Sequence, residues 1–338
     1  MRIVLLGPHG QLGRALAPVL ATLGTVTALS RAPEAGPDHV AGSTRLSGNL
    51  ADLPALERSL RQLRPDLIVN AAAMTNVDAA EHDAEHAQRI NADAPACLAR
   101  EARRSDALLV HYSTDYVFDG RGTTPWQESD PPAPLNAYGA SKLAGERAIQ
   151  AARCRHLILR TSWVYSADVA AAGRNFLTRI LELALTRDSL DVVADQTGAP
   201  TSVRLLAAST AHLVRALRTS SSAGDPAPPG GLYHLAAAGE TTWHDYARLI
   251  VRTAREHGCN GRLTPEAIHP IATAARADAA RRPANSRLDT SRIRHHFGLS
   301  LPDWREDVIA AVAQWCAHHA RTHVPTRAQA HGEPGKPA

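Results

Sequence analysis

Short apolar runs alternate through the first half of the chain with longer stretches whose apolar positions recur at helical spacing. Residues 2–7, 25–30, 66–70, 107–113 and 156–161 read as strands, and residues 11–23, 53–63, 87–103 and 137–152 as helices. Strands that take turns with helices of this length form βαβ units, because a parallel neighbour can be reached only through a long crossover. The second run, Thr25-Val-Thr-Ala-Leu-Ser30, is the least apolar and is expected near an edge of the sheet. The fold class is therefore α/β: a Rossmann-type doubly wound parallel sheet, with ligands at the carboxyl ends of its strands.

Beyond Thr161 the rhythm breaks into shorter segments, with loops such as Asp195-Gln-Thr-Gly-Ala-Pro-Thr201 between helices. This reads as a smaller mixed α/β lobe covering the ligand. Residues 1–163 are assigned to the nucleotide-binding domain, 164–322 to the second lobe, with the chain free to cross between them, and 323–338 to a disordered tail. The stretch 219–230, rich in Ser, Pro and Gly, reads as an exposed loop.

Composition narrows the class. Hydrophobic residues make up 44% and charged residues 21%, as in ordinary globular chains. The net charge of +4 comes from arginines scattered among acids, so no nucleic-acid partner is expected. The four cysteines, Cys97, Cys154, Cys259 and Cys316, lie far apart, which suits a reducing cytoplasm. No apolar run reaches the ~18 residues that cross a bilayer, and no membrane partner is expected. His82 and His86, and the pair His295-His296, read as solvated helix faces, and no metal site is assigned.

Gly7-Pro-His-Gly10-Gln-Leu-Gly13 follows the first apolar strand and opens a helix. Its glycines suit a tight turn, close approach to a pyrophosphate, and close helix-to-sheet contact, with the helix amides facing the phosphates. About twenty residues beyond Gly10, where an acidic residue would bind a ribose hydroxyl, stand Ser30 and Arg31. A guanidinium there suits a 2′-phosphate and hence NADPH, with NADH possible; the alternative is a solvated loop cation. Asn70-Ala-Ala-Ala73 closes the third strand with small side chains, fitting either close cofactor approach or helix packing.

Tyr138 and Lys142 lie one turn apart on one face of a helix. Reduction of a ketone needs a proton donor as hydride reaches the carbonyl carbon, and a phenol serves when a neighbouring ammonium stabilises its phenolate. Ser113 and Thr114, at the carboxyl end of the fourth strand, place hydroxyls where the carbonyl oxygen would lie.

These residues resemble the extended short-chain dehydrogenase/reductase superfamily and, within it, the dTDP-4-dehydrorhamnose reductase family. The likeness is carried by Asn70 to Glu81, Ser113 to Gly120, Tyr138 to Glu146, Arg160 to Tyr165 and Asp195 to Thr201. It implies a dTDP-sugar substrate, NADPH-dependent reduction at C4 of dTDP-4-dehydro-L-rhamnose, and catalysis by Thr114, Tyr138 and Lys142. It implies a cofactor lined by Gly7, Gly10, Gln11, Leu12, Gly13, Ser30, Arg31, Asn49, Leu50, Ala71, Ala72, Ala73, Tyr138 and Lys142. The sugar would meet Thr75, Val77, Ser113, Thr114, Asp115, Tyr116 and Trp163, with Asn175 and Gln196 closing the site. Two alternatives stay open: another 4-keto-deoxysugar nucleotide, and a non-catalytic nucleotide-binding subunit.

Members of the family are often magnesium-assisted homodimers with acidic residues where Ala15, Arg204 and Arg305 stand here. Arginine does not bind magnesium, so neither a metal requirement nor that mode of pairing is expected. The chain is read as a monomer or homodimer.

Overall fold

The computed structural model describes residues 1–31, 46–168, 175–219, 230–276 and 279–322. The expected tail at 323–338 and most of the loop at 219–230 lie outside them.

The central layer is a parallel sheet of six strands: β1 (Arg2–Leu6), β2 (Thr25–Leu29), β3 (Leu67–Asn70), β4 (Leu108–Thr114), β5 (His156–Thr161) and β6 (Gly231–His234). Their spatial order is β2-β1-β3-β4-β5-β6, every neighbouring pair parallel. β2 stands at an edge, where Thr25 and Ala28 are exposed and only Leu29 is buried. The inner strands are apolar at successive positions because both faces are covered. Ile3, Leu5, Val69 and Val110 pack on one face, and Val4, Leu6, Ile68 and Leu109 on the other.

Covering helices are α1 (Gln11–Ala21), α2 (Leu53–Leu63), α3 (Ala94–Ser105) and α4 (Ala137–Ala152). The helix expected over 87–103 is differently built. A short helix Ala84–Gln88 runs into a π-turn Arg89–Asp93 before α3 begins. Pro95, in the first turn of α3, lacks the N–H that would continue a regular ladder, and the wider turn absorbs the break. His82 and His86 are exposed and fall in separate helices, divided at Asp83.

The chain beyond Thr161 returns to the central sheet. β6 hydrogen-bonds beside β5, and helix α6 (Val203–Thr219), which follows α5 (Phe176–Thr186), packs against α1. Other parts of this region are held by small pairings: Val164–Tyr165 with Thr201–Ser202, Leu190–Val193 with Ile268–Ile271, and Thr197–Gly198 with Thr241–Thr242. Helices α7 (Trp243–Glu256) and α8 (Trp304–Thr322) pack on each other.

Sheet order places the crevice. From β1 the chain moves outward to β2, then crosses back to β3 on the other side, so the loops after β1 and β3 diverge at their carboxyl ends.

Candidate active site

Both loops at that divergence are built for close approach. Gly7 has φ +76°, and a side chain there would sit 2.9 Å from the Ala72 amide nitrogen, so the turns after β1 and β3 touch backbone to backbone. Gly13 faces the Gly7 carbonyl with no room for a methyl group. Gly10 caps α1 without a side-chain hydrogen bond, leaving the first-turn amides and the positive helix end directed at the crevice. This cradle fits a pyrophosphate. Leu12 is half-buried against the core, and Gln11 accepts at Oε1 from Asn175 Nδ2 at 2.7 Å.

The rim is formed by the ends of β2 and β3. The Ser30 carbonyl accepts from Gly48 N at 3.0 Å, Arg31 is exposed, and Leu50 is buried beside Asn49, whose Oδ1 accepts from Ala51 N at 3.1 Å. Ala71 N donates to the Leu6 carbonyl at 3.1 Å, binding β3 to β1 up to the mouth of the crevice. Ala72 and Ala73 follow, half-buried. Thr75 is exposed, and Val77 opens the short helix Val77–His82, capped by Asn76.

Thr114, Asp115 and Tyr138 meet at the end of β4. Asn136 caps α4 through the Gly139 amide at 2.8 Å, which presents Tyr138 in the first turn. The Tyr138 phenol lies close enough to Thr114 for that hydroxyl to offset part of the effect of burial. Thr114 Oγ1 donates to Asp115 Oδ1 at 3.1 Å and accepts from Tyr116 N at 3.2 Å. The Tyr116 and Tyr138 rings stand edge to face, centroids 5.7 Å apart. Burial pushes the Tyr138 phenol above its ordinary value, Tyr116 up to about 12 and the Asp115 carboxyl up to about 7, with Thr114 and Ser286 offsetting part of the rise at Asp115. Ser113 is buried alongside.

Lys142 is 2% exposed. Its Nζ donates to the Tyr112 carbonyl at 2.6 Å and lies 3.3 Å from His111 Nε2, so its contacts run to β4 rather than to the phenol one turn away. Burial lowers it to about 8. The helix can lie this close because Gly145 has no side chain to strike the Asn91 carbonyl in the π-turn. Asn91 clamps Met74 through both its N–H and C=O, and donates to Ser141 at 3.1 Å.

Trp163 holds a left-handed backbone, φ 48°, uncommon for a bulky residue. Its ring stacks on Trp243, and the absent side chain of Gly198 leaves room for its edge. Gln196 is 4% exposed; its Oε1 accepts from Trp243 Nε1 and its Nε2 donates to Thr273, each at 3.0 Å. The amide thus braces the tryptophan stack. Asn175 caps α5 and donates to the Ser166 carbonyl at 2.7 Å as well as to Gln11, tying the lobe to the start of α1.

The model of the RmlD substrate binding domain family matches residues 1–316. The chain belongs to this family. It is 44% identical to the dTDP-4-dehydrorhamnose reductase of Shigella flexneri and 45% to that of Escherichia coli K12, in each case over 91% of this chain and 96% of the relative. Among solved structures, the dTDP-4-dehydrorhamnose reductase of Bacillus anthracis in complex with NADP superposes with a TM-score of 0.77 at 28% identity, covering 94% of this chain and 99% of that one.

At the three positions where the resemblance led acidic residues to be expected, this chain carries Ala15, Arg204 and Arg305. Ala15 lies in α1, Arg204 is paired with Asp307, and Arg305 with Asp303 at 3.0 Å. These side chains do not fit a magnesium ion. Among the described residues no group of three metal-ligating side chains gathers, and no helix is long and apolar enough to cross a membrane.

Sequence reasoning passed over Asn70's side chain, His111, Asn91 and Trp243, whose roles arise from contacts across strands and lobes. One signal was present in the composition. Of 37 Lys and Arg residues only two are lysines, Lys142 and Lys336.

Proposed function

We propose that this chain reduces the C4 ketone of dTDP-4-dehydro-L-rhamnose to dTDP-L-rhamnose with NADPH. The observation that carries the reading is the buried Tyr138 phenol close to Thr114 at the carboxyl end of β4, with buried Lys142 one turn further along α4. NADPH, when bound, supplies the hydride. Gly7, Gly10 and Gly13 admit its pyrophosphate, and Arg31 meets the 2′-phosphate.

Tyr138 gives its proton to the C4 oxygen, and Thr114, donating to the same oxygen, fixes which lone pair is presented. Burial raises the cost of a bare phenolate, so Tyr138 rests as the phenol, the form a reductase needs at the start of each turnover. Lys142 contributes positive charge behind the phenol. Val77 and the Trp163 ring give an apolar wall for the sugar face and its methyl group. No magnesium is needed, since the positions that would hold it carry Ala15, Arg204 and Arg305.

The test is NADPH oxidation with enzymatically generated dTDP-4-dehydrorhamnose, the product's C4 configuration read by NMR. Turnover to the rhamno product supports the proposal. The C4 epimer, or no turnover, overturns it.

A further inference from the structure

Lys142 faces a polar chain that runs across the sheet. His111 Nδ1 lies 3.1 Å from Nδ2 of Asn70, on the opposite side of the ring from Lys142. The Asn70 amide is oriented by Ala72, whose backbone N–H donates to Oδ1 at 3.2 Å. Nδ2 therefore faces the imidazole, and since an amide nitrogen only donates, Nδ1 must accept. His111 is 1% exposed, and burial together with the adjacent lysine holds the ring well below its ordinary value, hence neutral. A neutral imidazole that accepts at Nδ1 carries its proton on Nε2. That proton points at Lys142.

An ammonium has hydrogens and no lone pair, so it meets the Nε2–H unfavourably, whereas a neutral amine accepts it. We propose that Asn70 and His111 are positioning residues for Lys142: the Asn70 amide fixes the proton of His111 on Nε2, and that N–H favours the uncharged lysine. The structural part stands alone; its kinetic consequence rests on the reductase reading above. Lys142 thereby loses its charge, and its support of the phenol, at a pH nearer to neutrality than burial alone would bring about.

Other groups around Nζ act in the opposite sense or are spent. Glu146, one turn along α4, favours the ammonium, but its carboxylate is held by Nε and Nη2 of Arg160 from β5, at 2.9 and 2.7 Å. The Tyr112 carbonyl accepts from either form. Asp115 and Tyr116 act at the Tyr138 end. From the turns preceding α3, Asn91 reaches Ser141, and Glu81 accepts from the first amide of α4 at 2.6 Å. Residue choice agrees with a titrating role. Arginine, used at nearly every other cationic position, does not release its proton in proteins, and lysine does.

The experiment uses the full chain labelled with 15N-histidine, and separately with labelled lysine, which gives two resonances distinguished by Lys336→Arg. The expected results are His111 as the neutral Nε2–H tautomer down to about pH 5, and Lys142 titrating near 8. In His111→Phe the Lys142 titration moves up by about one pH unit, a tenfold gain in proton affinity. The alkaline limb of NADPH-dependent turnover moves with it. Asn70→Ala, which frees the imidazole to present Nε2 as an acceptor, moves the titration in the same direction and serves if His111→Phe does not fold. An Nδ1–H tautomer, an imidazolium, or an unmoved Lys142 titration in either folded variant overturns the proposal. Absence of turnover in the unaltered protein would instead count against the reductase reading, leaving the NMR outcomes to decide this one.

Discussion

Trp163 lies flat on Trp243, ring centroids 3.6 Å apart and planes 13° from parallel. Trp243 comes from α7 and is held by Gln196 and by the ring of Phe176, 4.6 Å away, so an element remote in sequence decides where the Trp163 ring stands. One face of Trp163 is thereby spent on the stack, which leaves its other face or edge for a ligand. Trp243→Leu removes a stacking partner worth about 1 kcal/mol. The KM for the sugar nucleotide should rise roughly fivefold with kcat little changed. Steady-state kinetics checks this, and an equal loss in both constants would place Trp243 in the chemistry instead.

Tyr138→Phe keeps the ring against Tyr116 and removes the proton. Turnover should fall by roughly 10²–10⁴-fold, the usual contribution of a positioned general acid, while NADPH binding, followed by fluorescence titration, stays within about twofold. Full retention of turnover sinks the proton-donor role.

Arg31 is exposed just beyond the end of β2. If its guanidinium meets the 2′-phosphate, Arg31→Ala should cost about 1.5–3 kcal/mol with NADPH, roughly a 10–100-fold rise in KM, and little with NADH. Equal losses with both cofactors would return Arg31 to the solvated surface.

Asp115 titrates near 7 in the folded chain against 3.8 for the free side chain, because burial disfavours its anion. Its folded value is raised, so between pH 4 and 7 the native state binds more protons than the unfolded state, and stability falls as pH rises. Below about 4 both states are protonated and the penalty vanishes. Asp115→Asn should therefore be near neutral in stability at about pH 4 and stabilising by up to about 4 kcal/mol at about pH 8. Urea unfolding of both proteins across this range tests it; a difference that does not change with pH refutes the assignment.

Glu146 and Arg160 form a buried bidentate pair, with Arg160 also 5.0 Å from the Phe118 ring centre. Arg160→Met strands the carboxylate and should cost about 3–5 kcal/mol, whereas Glu146→Gln with Arg160→Met should recover most of it. Thermal unfolding reads both, and a single variant as stable as the parent would contradict the account.

The sequence by itself determined the α/β class, five of the six sheet strands to within a residue or two, the edge position of β2, and the glycine turn after β1. Those features are written in local period and in residues whose backbone freedom has no substitute. The candidate chemistry of Tyr138 and Lys142 was legible for the same reason, as a spacing on one helix. The sixth strand was not, since Gly231–His234 is too short to show a period and becomes a strand only through β5. Only the tertiary structure decided the partners. It turned Lys142 toward His111 and Tyr112, gave Gln196 and Asn175 bracing contacts, laid Trp243 on Trp163, and paired Arg204 with Asp307. Burial and hydrogen-bond pairing depend on groups far apart in the chain, and those are the terms that set charge, orientation and reach in this site.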